Sequence, residues 1–351
     1  MEGKIKSRIL EAITEKNFPA CVVGVVKKNG EKIIVPIGRF TYEPDSAPIT
    51  ADTIFDVASI TKSIPTSSLA LKLIDDGKLK TSDKLIKFVP ELCNSDRNNV
   101  LIKHLLTQTL DYDFRLSVHK DKTPDEILKA IFTTEFKSRP GRKFFYTNAN
   151  SILLGLVAER ILGNCLDELG KEYFFQPLEM DRTSFRPLEK FNSKEIAPTE
   201  IQEWRGGLVQ GEIHDESAFI LDKKMVVGSA GLFSTAPDIL NFLKMLLNGG
   251  TINGKKYLSA EIIKQIQTNQ LSDISQYAGL GWELNQPYMG SYRSDKTFGK
   301  TGFTGCVCVC DIEREVAFVI LSNYTYPIRK SSANLSNKFR SDIADIVFKS
   351  L

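Results

Sequence analysis

The tetrad Ser59-Ile60-Thr61-Lys62 could activate a hydroxyl. It follows the strand-like run Thr53-Ile54-Phe55-Asp56-Val57 and opens a segment, residues 59 to 76, with apolar residues at helical spacing. On a first helical turn, i to i+3 spacing stacks the lysine ammonium beside the serine hydroxyl. A serine is a poor nucleophile until a neighbouring base takes its proton, and a lysine can do so once burial and nearby positive charge lower its pKa. Pro65 should kink the second turn by removing a backbone donor. Alone, the tetrad says little, because a serine at a helix start is more often a cap.

Two further clusters extend the pattern. Tyr146-Thr147-Asn148 follows Pro140-Gly141 in a loop just before a helical stretch, where a phenol and an amide could both project into a cleft. Gly299-Lys300-Thr301-Gly302 precedes a strand beginning near Gly305, and its glycines would let a substrate lie close to the strand edge.

In this order, Ser-x-x-Lys, Tyr-x-Asn and Lys-Thr-Gly resemble the penicillin-binding proteins and class C serine β-lactamases, with their related esterases and D-amino-acid peptidases. The resemblance runs from about Phe55 to Asn323 and includes the stretches 227–235 and 279–283. It implies that Ser59 is the nucleophile, Lys62 its proton acceptor and Tyr146 the acid-base partner at the leaving group. Asn148 would bind a substrate amide, and Lys300, beside Thr301 and Gly302, a substrate carboxylate while lowering the pKa of Tyr146. The main-chain N–H groups of Ser59 and Phe303 would form an oxyanion hole, worth about 3 kcal/mol per donor in the transition state. No metal or organic cofactor is implied.

The chain also departs from the pattern. Gln108-Thr109-Leu110-Asp111 stands where many relatives carry His-Thr-Ser-Gly, and no glutamate is placed as the deacylating base of class A enzymes. Gly211-Glu212-Ile213-His214-Asp215-Glu216 resembles a cleft segment of some esterase and peptidase branches, which implies that His214 touches substrate or assists water. The plainer reading is a loop histidine hydrogen-bonded to a neighbour.

These residues need a frame. Residues 4–17 carry apolar side chains at helical spacing, and 20–27 and 32–37 read as a hairpin around Asn29-Gly30. Residues 305–311 and 316–322 read as strands, and 334–348 as a final amphipathic helix. The stretches 101–110, 124–136, 148–162 and 235–248 are helical in pattern. The expected fold class is α+β: an antiparallel sheet built from the N- and C-terminal segments, flanked by terminal helices, with a large mainly helical lobe inserted. Residues 1–351 then form a single catalytic domain, with an α/β lobe of about 1–57 and 225–351, a helical lobe of about 58–224, and the site in the cleft between them. Loops at 39–52, 186–225 and 268–296 are long enough to line that cleft.

The bulk properties are those expected of a globular protein with a substantial buried core. Of 351 residues, 42% are hydrophobic and 25% charged, and a net charge of +3 without single-sign blocks gives no footprint for nucleic acid. No run of about twenty apolar residues suggests a membrane span, and the start Met1-Glu2-Gly3-Lys4-Ile5-Lys6 lacks a secretory leader. As written the chain is expected in the cytoplasm; a leader removed beforehand would make it periplasmic or secreted. Oligomeric state is not legible. Cys306, Cys308 and Cys310 alternate on one strand face and read as small hydrophobes, while Cys21, Cys93 and Cys165 lie far apart and no Cys-x-x-Cys pair occurs.

Rival patterns fail or stay secondary. A phosphate loop ending at Gly299-Lys300-Thr301 lacks its earlier glycine, because Ser294 stands there. Gly228-Ser229-Ala230-Gly231 is not a nucleophile elbow. A Ser-His-Asp hydrolase would have to draw on His104, His119 or His214. The sequence therefore reads as a serine hydrolase acting through an acyl-enzyme on a small-molecule or peptide substrate, an ester, D-amino-acid amide or β-lactam bearing a carboxylate. A true class C-like β-lactamase, or a non-catalytic binding or sensing protein of the same fold, is the alternative.

Overall fold

The computed structural model describes residues 1–92, 95–112 and 120–351, so Cys93 and His119 lie outside the described residues. Six strands form one antiparallel sheet: β1 (Ala20–Lys27), β2 (Lys32–Gly38), β3 (Glu283–Leu284), β4 (Thr297–Thr301), β5 (Val307–Asp311) and β6 (Val316–Ser322), in the order β2-β1-β6-β5-β4-β3. The N-terminal hairpin joins the C-terminal strands through β1 and β6, with Cys21 opposite Ser322 and Lys27 opposite Val316. The sheet thus closes the chain on itself.

Both faces of the central strands are buried, which explains why these strands read as nearly continuous apolar runs. Ala20, Val22, Val26, Ala317, Val319 and Leu321 face the large core shared with the inserted helices, as do Cys306, Cys308 and Cys310. Their neighbours Cys21, Val23, Val25, Val307, Val309, Phe318 and Ile320 face the terminal helices Glu2–Thr14 and Asn334–Phe348. The three alternating thiols are wholly buried, and burial pushes their pKa values up.

Between the two halves of the sheet the chain is mainly helical, as the periodicity suggests, but two stretches differ. Residues 58–75 do not form one helix. A 3-10 turn at Ala58–Lys62 passes into a wide turn at Ser63–Ser67, and an α-helix begins only at Ser68. Pro65 and the extended Ile64, at φ −119° and ψ 110°, make the break. The stretch 186–225 is not merely loop. It contains a small hairpin, Glu200–Gln202 with Gly207–Val209, and the helix Glu216–Asp222 capped by the Asp215 side chain. Three-residue strands carry too little alternation to be read from sequence.

Candidate active site

Ser59 is the second residue of the 3-10 turn, and its surroundings are tightly specified. Ala58, just before it, takes a left-handed φ of 46°, which a non-glycine residue adopts at a cost of about 1 to 2 kcal/mol. Asp56 holds the strain in place: its Oδ1 accepts the Ala58 N–H at 2.7 Å and its Oδ2 the His214 N–H at 2.8 Å. Desolvation raises the Asp56 pKa, partly countered by those same N–H donors. With the Ile60 N–H on the Val57 carbonyl, the Ser59 N–H has no partner among the described residues.

The turn after β4 leans directly on this segment. Thr304 Oγ1 donates to the Asp56 carbonyl at 2.7 Å. A Cβ on Gly302 would lie 2.4 Å from the Val57 oxygen, so only glycine permits the approach. Arg340, buried on the last helix, donates to the carbonyls of Gly302 at 2.8 Å and Cys306 at 3.0 Å. C=O and N–H point in opposite directions across a trans peptide, so anchoring the Gly302 carbonyl on Arg340 turns the Phe303 N–H the other way. That N–H also has no partner among the described residues. Thr301 lies half-buried at the end of β4.

Lys62 is buried, and besides the Tyr146 hydroxyl its Nζ meets Ser59 Oγ at 3.0 Å, Asn148 Oδ1 at 2.8 Å and the Ser229 carbonyl at 2.6 Å. The last two can only accept, so they fix two of its hydrogens. The third direction, toward Ser59, can carry a hydrogen or a lone pair. Burial lowers the Lys62 pKa, and Lys300 adds to the lowering, while Tyr146 and Asp215 oppose it. Ser229 reaches the lysine because Gly228 slips between the Ser151 carbonyl and Thr66, where a Cβ would meet the carbonyl at 2.4 Å.

Tyr146 lies beside both lysines, whose Nζ atoms sit 5.2 Å (Lys62) and 4.4 Å (Lys300) from its ring centroid. Burial of the hydroxyl would raise its pKa, but Lys300 and Lys62 outweigh that and lower it, helped by a hydrogen bond with Ser59. Part of the ring remains exposed. Gln108, at the departure from the family pattern, holds this loop: its Oε1 accepts from the Thr147 N–H at 3.3 Å and from Asn150 Nδ2 at 3.1 Å. Lys62, Gln108, Tyr146, Glu283 and Lys300 line a cavity of about 30 Å³, enough for a water.

Two side chains, Lys300 and Asn148, are engaged differently from the sequence expectation, and a third, His214, takes the plainer of its two readings. Lys300, expected to hold a substrate carboxylate, is ion-paired with Glu283, whose other oxygen accepts from Tyr288 Oη at 2.8 Å. Burial alone would lower the Lys300 pKa, but Glu283 and Tyr146 push it up to about 12. Asn148, expected to bind a substrate amide, spends both amide hydrogens on Asp215 Oδ2 at 2.9 Å and Ser217 Oγ at 3.1 Å. His214 is buried, with Nε2 on Glu200 Oε2 at 2.8 Å and its ring stacked behind that of Phe303, so it backs the site instead of lining it.

The Beta-lactamase family profile matches residues 7–339. The chain belongs to the beta-lactamase family. A family member from Escherichia coli K12, provisionally named a D-alanyl-D-alanine carboxypeptidase, is 30% identical over 324 residues, covering 83% of this chain and 74% of its own. Among solved structures, the octameric penicillin-binding protein homologue from Pyrococcus abyssi superposes with a TM-score of 0.77 at 23% identity, over 99% of this chain and 77% of that one. EstCE1, described as a hydrolase with promiscuous acyltransferase activity, gives 0.77 at 20% identity over 99% and 98%. At these identities the structures speak for the fold, which is that of the penicillin-binding proteins and serine β-lactamases. Among the described residues of this family member, no single helix is long and apolar enough to cross a membrane.

Sequence reasoning missed Glu283, Asp215 and Arg340. Glu283 and Asp215 lie inside stretches already noted for their family likeness, but a two-residue strand and a helix cap give no periodicity from which the direction of either side chain could be read. A buried arginine on an amphipathic helix gives no sign of its acceptors.

Proposed function

We propose that this chain is a serine hydrolase that forms a transient acyl-enzyme on Ser59, with esters or D-amino-acid amides as its preferred substrates over β-lactams. The observation that carries the reading is the coordination of Lys62. Two obligate acceptors leave its nitrogen only the side facing the Ser59 and Tyr146 hydroxyls on which to trade a proton.

In this reading Ser59 Oγ forms a bond to the substrate carbonyl carbon as its proton passes to Lys62. The carbonyl oxygen gains the electron pair and rests between the Ser59 and Phe303 N–H groups. Collapse breaks the bond to the leaving group, which takes a proton from Tyr146, and Lys62 restores that proton. A water then attacks the acyl carbon, loses its proton to the same pair, and frees Ser59. Lys300 keeps the Tyr146 phenol acidic enough to exchange protons in both halves.

The substrate preference rests on the Glu283–Lys300 pair. A substrate carboxylate would have to displace or sit beside Glu283, whereas a neutral ester or amide meets no such competition. The name of EstCE1 agrees with hydrolase work on acyl groups, and that of the Escherichia coli relative with a D-amino-acid amide bond, although a carboxypeptidase substrate also carries the carboxylate that Glu283 would oppose. The test is a parallel assay of the protein and Ser59→Ala on p-nitrophenyl butyrate, a D-alanyl amide and a chromogenic cephalosporin. Ser59-dependent turnover of the first two with little of the third is expected; faster turnover of the cephalosporin would make the protein a β-lactamase instead.

A further inference from the structure

His214 and the ionic cluster around it are not used by the chemistry above, and they converge on one exposed ring. Glu200 accepts from His214 Nε2 and is clamped by Arg329, whose Nε lies 2.9 Å from Oε1 and Nη2 2.7 Å from Oε2. Arg329 also pairs with the buried Glu216 at 2.8 Å. Hydrogen bonds from His214 and Arg329 hold the Glu200 carboxyl well below the usual carboxylate range, against the upward push of burial. On this base sits Phe303. The His214 ring stacks against it at 5.7 Å and 22°, and the Arg329 guanidinium lies 5.8 Å from its centroid.

Phe303 nevertheless remains 58% exposed. An aromatic ring backed by stacked and charged groups yet open to solvent is a preformed contact surface. It does not stand alone. Ile328, 68% exposed, immediately precedes Arg329, and the Ile201 N–H donates to the Pro327 carbonyl at 2.8 Å. Ile201 and Leu208 face each other across the small hairpin, both exposed, while their neighbours Glu200 and Val209 turn inward. Arg329 and Pro327 link these exposed apolar side chains, Phe303 against the Arg329 guanidinium, Ile328 next to it in the chain and the hairpin bonded to Pro327, and together they make up an apolar strip.

We propose that this strip is the seat for the acyl group of the substrate, and that it selects esters and amides whose acyl part carries an aliphatic chain or an aromatic ring. The argument is one of continuity. Phe303 supplies the strip's first surface and also the N–H that faces the nucleophile turn. A substrate whose carbonyl oxygen rests on that N–H is held within reach of the side chain of the same residue. The inference rests on the acyl-enzyme reading and names the substrate class it would serve.

The test compares kcat/KM for p-nitrophenyl hexanoate and p-nitrophenyl acetate, which differ by four methylenes. Phe303→Ala and Ile328→Ser should each lower the hexanoate-to-acetate ratio about tenfold, as expected when buried methylenes lose their contact. Tyr292→Ser, at an exposed aromatic beside Lys349 just past the terminal helix, should leave the ratio unchanged. An unaltered ratio in both strip variants overturns the proposal. So does a change in solution mass, read by light scattering, without a change in ratio, since the strip would then be a contact between copies of the chain. Acylation of Ser59 by p-nitrophenyl acetate in the unmodified protein, read by intact mass, separates the two claims. If it occurs while the ratio is insensitive, only the strip falls; if neither ester acylates Ser59, the acyl-enzyme reading falls too.

Discussion

Asn148 Nδ2 donates to Asp215 Oδ2 at 2.9 Å, and because a carboxylate can only accept, Asn148 is obliged to present its oxygen to Lys62. Asp215 thus orients the group that orients the base.

Asp215→Asn should uncouple these effects without disturbing the fold, since asparagine caps the helix Glu216–Asp222 as well as aspartate does. Asp215 raises the Lys62 pKa against the lowering by burial. Activity needs the free amine, so kcat/KM rises with pH through the Lys62 pKa. Removing the negative charge should move that acid limb to lower pH, and freeing Asn148 to flip should lower the plateau about tenfold. A pH–rate profile on p-nitrophenyl butyrate checks both; an unmoved acid limb would count against Lys62 as the base.

Glu283 balances Lys300. Glu283→Gln should leave Lys300 charged and unpaired, open to a substrate carboxylate. The kcat/KM for an acyl-D-alanyl-D-alanine relative to its C-terminal amide should rise about five- to tenfold. An unchanged ratio would mean that Glu283 does not set the charge preference.

Arg340 acts through a carbonyl rather than through substrate. Arg340→Lys keeps the buried charge but not the two-pronged grip on Gly302 and Cys306. The kcat on esters should fall about tenfold or more with KM nearly constant, as expected of an oxyanion donor turned out of line. An equal fall in kcat and thermal stability would point to a structural role alone.

Gly302 leaves no room for a side chain, because a methyl group would sit 2.4 Å from the Val57 carbonyl. Gly302→Ala should displace the nucleophile turn and reduce kcat/KM about a hundredfold, with a loss of about 1 to 3 kcal/mol in stability by denaturant unfolding. Activity near that of the unmodified protein would show that the two segments are not in contact.

How much of this was legible in the sequence follows from the range of each interaction. Ser59 and Lys62 are three residues apart, so local geometry alone suggests their contact, and the structure gives 3.0 Å. The sheet was legible because β1, β5 and β6 are long and apolar, and the final helix because its apolar stripe has a clear period. The resemblance also drew attention to Tyr146, Asn148 and Lys300. It did not tell how Asn148 and Lys300 are engaged, because Asp215 and Glu283 reach them from 67 and 17 residues away. Within Gly211–Glu216 the histidine attracted notice, yet its neighbour Asp215 is the residue that meets the site. The broken helix after Lys62 was half legible: Pro65 signalled a kink, but not the extended Ile64 beside it.

The most direct measurement is the mass of the protein during turnover. Mixed with excess p-nitrophenyl butyrate and quenched in acid, the chain should gain one butyryl group, and peptide mapping should place it on Ser59; Ser59→Ala should gain none. A butyryl group on any other residue, or hydrolysis by Ser59→Ala at the rate of the unmodified protein, would contradict the account.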